Sequence, residues 1–342
     1  MALCGLFFSC DTIEKEKTPT PSSGTLVLNN GNWGGNDSNI CIYNPETKEL
    51  TANAFQSANS QKLGDLGQDI LAVGEEIYIA VNGSQTIFVT DLTLKIKTQI
   101  NATHEGATLS PRALATAGGK VYVTYYEGFV GEINPADHSV RLTAVGANPE
   151  GLAVAGGKLY VANSGGMSYP NYDNTLSVVS IADFVQTGTI TVNDNPASVY
   201  ASSNGAYVYV LSFGNYADKP AKVQVVDLAT GNVADAGYNS PSDMAKGADD
   251  SLYILCGGYD ENWNPLPGSV YKHNMTINTK AGAFVTDGTQ MPNAYSISAA
   301  KDGYIYVGCS DYKTTGDVYV FSSNGKLHDS FDSEGLNPIA VY

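Results

Sequence analysis

The chain has 342 residues, enough for one large or two ordinary domains, and 43% of them are hydrophobic while only 15% are charged. Its formal charge of −16 repels phosphate backbones and argues against a nucleic-acid partner. No apolar run reaches the roughly 18–20 residues that cross a bilayer as a helix, and 36 glycines and 22 tyrosines set among short apolar runs favour many strands and turns.

The first ten residues, MALCGLFFSC, are apolar up to Cys10, and the chain turns polar at once afterwards. A short hydrophobic segment ending in small Ser9 before a cysteine reads as the tail of a secretory signal. LFFS-Cys resembles a bacterial lipobox, which makes Cys10 the expected lipidation site. Residues 11–23, rich in Pro, Thr, Ser and alternating charge, are expected to be a tether, because such a composition cannot bury a core. The acids Asp11, Glu14 and Glu16 resemble the signals that send some lipoproteins to the outer face of the outer membrane.

From residue 24 onward one sentence recurs. A unit opens with Pro111, Pro149, Pro196, Pro241, Pro292 or Pro338, with Gly67 in that place in the first complete unit. A small-residue strand follows, such as ALAT (113–116) or LAVA (152–155), then a tight turn such as Gly156-Gly157. A second strand carries a tyrosine: Tyr78, Tyr122, Tyr160, Tyr209, Tyr253 or Tyr306. The third strand recurs seven times, as NICIYN from Asn39, TIFVTD from Thr86, FVGEIN from Phe129, LSVVSI from Leu176, VQVVDL from Val223, VYKHNM from Val270 and DVYVFS from Asp317. GTLVLNN (24–30) is a second strand with nothing before it, and NPIAVY (337–342) is a first strand with nothing after it. Together they complete a seventh unit. The period of about 45 residues is that of a propeller blade. The expected fold is all-β: a seven-bladed β-propeller of four-stranded antiparallel blades over residues 24–342, one domain, its ring closed by both chain ends.

In such a ring the loops joining second to third strands share one face with the blade-to-blade connections. Those loops carry ten aromatics, whereas turns of nearly equal total length on the opposite face carry only Phe184. The ten are Trp33, Tyr125, Tyr126, Tyr169, Tyr172, Phe213, Tyr216, Tyr259, Trp263 and Tyr312; with Asn32 and Asp173 they form the predicted ligand-binding set. Tyr, Trp, Asn and Gly supply rigid contact area with adaptable hydrogen bonds. Few cations stand on these loops (Lys219, Lys222, Lys313), so a polyanion fits poorly. The chemistry suits two guests equally. One is a large uncharged guest with an apolar face and a polar fringe; the other is a neutral glycan, bound by an adhesive surface propeller.

The GGKLYVANSGG…DNTLSVVSI pattern resembles the YVTN-type propeller repeats of bacterial surface and periplasmic proteins. With the lipobox, the TLVLNNGNWGGNDSNICIYNP opening and ANSGGMSYPNYDNTLSVV, it is similar to surface-exposed propeller lipoproteins that capture cobalamin (vitamin B12). That resemblance implies a lipid-anchored outer-membrane protein facing the extracellular side. It also implies cobalamin as bound ligand and a TonB-dependent outer-membrane transporter as partner.

No catalytic constellation emerges. GxSxG and HExxH are absent, His104 is the only histidine near the aromatic face, and Asp260-Glu261 with Asp173 are ordinary loop acids. The expectation is a non-enzyme without catalytic cofactor or metal; a lactonase-type propeller hydrolase is the alternative of a different class. The five cysteines show no zinc spacing. Cys256 and Cys309, at equivalent positions of adjacent blades, are expected to be free buried thiols, since equivalent positions in neighbouring blades stand beyond disulfide reach.

Overall fold

The β-branched and aromatic runs separated by Gly, Asn and Asp turns fold as antiparallel strands. A computed structural model describes residues 24–258 and 266–342, and its strands form seven four-stranded sheets arranged radially. Blades 1 to 6 span 67–100, 111–144, 149–191, 196–235, 241–283 and 294–332. Blade 7 takes its inner strand, Pro338–Val341, from the C-terminal end and the other three, Thr25–Asn29, Asn39–Asn44 and Glu49–Thr51, from the N-terminal end. The inner strands contact one another in blade order and return from blade 7 to blade 1. The fold is therefore the expected closed seven-bladed propeller. Cys10 lies outside the described residues. Cys41, Cys256 and Cys309 are free and buried.

A backbone device repeats at the start of each inner strand. The residue before it is left-handed at Leu66, Asn148, Asn195, Ser240, Asn293 and Asn337, a conformation that asparagine tolerates better than most residues. Its carbonyl accepts the N–H just past the second strand, at Asn82, Ser164, Phe213, Gly257, Ser310 and Asn30 respectively; Ser110 and Tyr126 make the same bond in blade 2. This device corrects one sequence expectation. The blade 6 opener is Ala294, not Pro292: Ala294 pairs with Cys309 as Pro241 pairs with Cys256.

The second strands are the most deeply buried, and Glu76–Val81 is buried along its whole length. Their tyrosines, Tyr78, Tyr122, Tyr160, Tyr209, Tyr253 and Tyr306, are wedged between blades. Three of the hydroxyls donate to acids on the plain face: Tyr78 to Glu76 (2.9 Å), Tyr122 to Glu132 (3.2 Å) and Tyr306 to Asp302 (2.5 Å). Burying one such ring contributes about 2 kcal/mol, against about 0–1 kcal/mol for an exposed ion pair. The tyrosine rhythm is thus a core signal. Near the axis space is scarce: a Cβ added to Gly151 would meet the Ala197 carbonyl oxygen at 2.5 Å. One six-residue helix, Ala54–Asn59, lies in the connection from blade 7 to blade 1 and packs Phe55 against Phe88 at 5.0 Å.

Every inner strand carries a register slip just after its opener, the irregularity of a β-bulge. At two of these slips a carboxylate braces the next blade. Asp69 accepts the N–H of Ile70 (2.8 Å) and, across the gap, that of Leu114 (2.7 Å). Asp243 does the same with Met244 (2.8 Å) and Ile297 (2.8 Å). Burial outweighs these amide bonds and pushes the two carboxyls up to about 6 and about 7.

Two outcomes are expected. Deleting residues 337–342 removes the inner strand of blade 7 and should lower the thermal midpoint by on the order of 10 °C, read by circular dichroism; an unchanged midpoint would show that closure contributes nothing. The folded protein keeps its proton on Asp243 to higher pH than the unfolded chain does. This group therefore supports stability most below about pH 4, and its support declines as pH rises towards about 7. Asp243→Asn keeps an acceptor and cannot ionise. Its stability relative to wild type should rise by about 1–3 kcal/mol between about pH 4.5 and pH 8 in denaturant titrations. Parallel pH profiles would mean that channel solvent already screens the carboxylate.

Candidate ligand-binding site

The seven inner strands enclose an axial cavity of about 660 Å³, within the range of small-molecule sites. Its wall includes Asp69, Leu114, Leu152, Tyr200, Asp243 and Ile297, with Lys246 towards the plain end. At the other end Tyr172, Phe213, Tyr216 and Gly166 line the mouth together with Arg112 and Glu150.

The expected aromatic set divides into groups. Tyr126, Tyr169, Tyr172, Phe213 and Tyr216 come together on blades 2 to 4. Tyr169 meets Tyr172 edge-on at 6.1 Å between ring centroids, and Tyr172 meets Tyr216 at 5.9 Å. Tyr126 lies beneath the 163–175 loop, which approaches because Gly166 has no side chain; a Cβ there would stand 2.5 Å from the Tyr126 hydroxyl. Burial raises the Tyr126 and Tyr216 hydroxyls above their ordinary range, and the charge of Glu150 and the neighbouring Tyr172 add to it. On blades 6 and 7 a second arc holds Tyr312, whose ring meets Tyr295 at 5.5 Å, and Trp33, which is 79% exposed.

Three of the predicted residues have other work. Tyr125 is not on the open face: it is the last residue of its strand and is buried in the core between blades 1 and 2. Its ring lies over Gly131, where a Cβ would come within 2.8 Å of it. Asn32 ties two loops, donating to the Tyr312 carbonyl (3.2 Å) and accepting from Asn337 (3.1 Å). Asp173 accepts from the Asn174 N–H and the Thr175 hydroxyl, each at 2.7 Å, and so caps the start of a strand. Tyr259 and Trp263 lie outside the described residues, as do Asp260 and Glu261. His104 is exposed and packs on Phe129 at 4.3 Å.

The structure also adds residues that the loop pattern missed. Arg112 and Glu150 each follow an opener by one residue, on adjacent blades. Arg112 Nε donates to Glu150 Oε2 at 2.7 Å, and its Nη2 stands 2.5 Å from the same oxygen. The guanidinium carbon sits 5.2 Å from the Tyr126 ring centroid, a cation–π arrangement. Burial raises the Glu150 carboxyl, while Arg112 pulls it down. A sequence signal existed: PRALATA and PEGLAVA place a charge inside otherwise small, apolar inner strands. The count of cations on the aromatic face must now include Arg112. Lys219 and Lys222, by contrast, are paired with Asp194 (2.8 Å) and Asp235 (3.2 Å).

Just beneath this face, five buried polar side-chain atoms have no protein partner among the described residues: Asn29 Oδ1, Thr86 Oγ1, Tyr125 Oη, Asn163 Oδ1 and Ser212 Oγ. Four of these residues end the second strands of their blades, opposite the openers. Groups of this kind are ordinarily served by ordered water.

No protein-family model matches the chain, and a search of curated proteins finds no match. Solved structures do. A hydrazine synthase structure from Kuenenia stuttgartiensis aligns with a TM-score of 0.57 at 19% identity, over 73% of this chain and 74% of that one. A chain of a mitotic checkpoint complex aligns at 0.56 and 13% identity, over 78% and 77%. The Pan2 WD40 domain of Neurospora crassa aligns at 0.54 and 11% identity, over 75% of each chain. At such identities the likeness is one of fold alone, and the fold it supports is the β-propeller.

Proposed function

We propose that the protein is a ligand-capturing propeller, and that its ligand is cobalamin, received on the aromatic face and passed to a TonB-dependent outer-membrane transporter. One observation carries this reading: Tyr172 and Tyr216, packed edge-on, stand at the mouth of the axial cavity with Phe213, and Tyr169 packs on Tyr172 from outside the lining. Such rings offer apolar faces to a large flat guest at low cost in side-chain entropy. The acids around the cavity and the formal charge of −16 disfavour a polyanionic guest. Anchoring through acylated Cys10 completes the reading, since several acyl chains hold a protein firmly to a bilayer. Exposed Trp33, which is not among the residues lining the cavity, favours a glycan as the second reading.

Purified protein mixed with cyanocobalamin and passed over a gel-filtration column should carry the pink colour with it. The double variant Tyr172→Ala/Tyr216→Ala should weaken binding about tenfold or more, about 1.4 kcal/mol, with its thermal midpoint near that of wild type. Colour that never co-elutes with wild type ends the cobalamin reading, and a hit on a glycan array then supports the second. Cys10→Ser should move the protein from the membrane to the soluble fraction.

A further inference from the structure

The ion pair at the mouth is only half used. Arg112 directs both Nε and Nη2 at one oxygen of its partner, Glu150 Oε2. Guanidinium–carboxylate pairs commonly close as two parallel bonds, one to each oxygen. Here neither Glu150 Oε1 nor Arg112 Nη1 has a hydrogen-bond partner among the described residues. Both side chains are mostly withdrawn from bulk solvent, at 25% and 18% exposure, and both line the cavity. Tyr126 backs the guanidinium, and Tyr172 and Tyr216 stand at the same opening. One ion pair therefore keeps an unpartnered donor group and an unpartnered acceptor oxygen in a partly desolvated, aromatic-walled site.

The charge balance selects the group that completes this pair. A carboxylate or phosphate placed there meets Glu150 at once. A cation meets Arg112. A primary carboxamide brings no net charge and carries an acceptor oxygen and a donor NH₂ in one plane. Its oxygen takes the free Arg112 N–H, and its NH₂ donates to Glu150 Oε1.

We propose that Arg112 and Glu150 together form a subsite for a primary carboxamide of the bound ligand. This rests on the cobalamin reading and deepens it, because the corrin rim is fringed with such amides. Tyrosine rings would supply contact area, and the Arg112–Glu150 pair would distinguish amide from acid.

The test compares cyanocobalamin with its monocarboxylic acids, each having one peripheral amide hydrolysed, by calorimetry on the full chain. At least one acid should bind wild type about tenfold more weakly than the parent. In Glu150→Gln, which removes the repelling charge beside Arg112, the gap for that same acid should shrink to about threefold or less. Acids that all bind wild type as tightly as the parent would overturn the subsite, and this comparison needs no variant. A gap that Glu150→Gln leaves unchanged would overturn it too, by placing the discrimination elsewhere. If wild type does not bind cyanocobalamin at all, the functional reading fails and the subsite falls with it.

Discussion

The whole molecule depends on one antiparallel pairing between residues more than three hundred positions apart. Val27 faces Val341 and Leu28 faces Ala340, and the Leu26 and Tyr342 backbones exchange two hydrogen bonds of 2.9 Å. Without that contact blades 1 and 6 would each present an unpaired sheet, with an apolar face that has nothing to pack against. With it, every blade has two neighbours and the axial cavity has a continuous wall. Side chains reinforce the seam at the aromatic end, where Asn337 donates to the Gly31 carbonyl at 2.8 Å and accepts from Ser310 at 2.5 Å. The cavity is a by-product of closure: seven twisted sheets cannot meet at a point, and the space they leave is lined by whatever their inner strands carry.

Two kinds of residue share that lining. Asp69 and Asp243 are fully engaged with backbone amides of adjacent blades and act as mortar. Arg112 and Glu150 keep hydrogen-bonding capacity in reserve at the opening. All four sit within two residues of an opener, in the bulged stretch where the inner strand departs from regular pairing. A bulge frees a side chain from the strict alternation of a strand, which is why polar groups gather there in an otherwise small and apolar element.

The ring was legible because its signals are local and repeated. The third-strand phrases and the second-strand tyrosines both report burial between blades, and all seven third-strand phrases became strands. The seventh blade was readable from two incomplete ends. Pro292 misled because proline is only a frequent occupant of the opening position; the constant feature is the hydrogen bond that the carbonyl of the residue before the opener accepts from just past the second strand, present in all seven blades. Tyr125 misled because a strand end and a loop start look alike in sequence, and only the missing side chain of Gly131 decides that its ring turns inward. Arg112 and Glu150 were not legible in the loop pattern, because they belong to the first residues of inner strands and not to the loops. The Ala54–Asn59 helix gave no warning either, since six residues are too few to show a helical period.

The position of Gly24 sets which rim of the ring the chain enters. Thr25 begins a second strand and bonds Asp302 (2.7 Å) in a tight turn of blade 6, so the chain enters the propeller from its plain side. The described chain thus begins on the rim remote from the tyrosines, so the open face carries neither that end nor its connections.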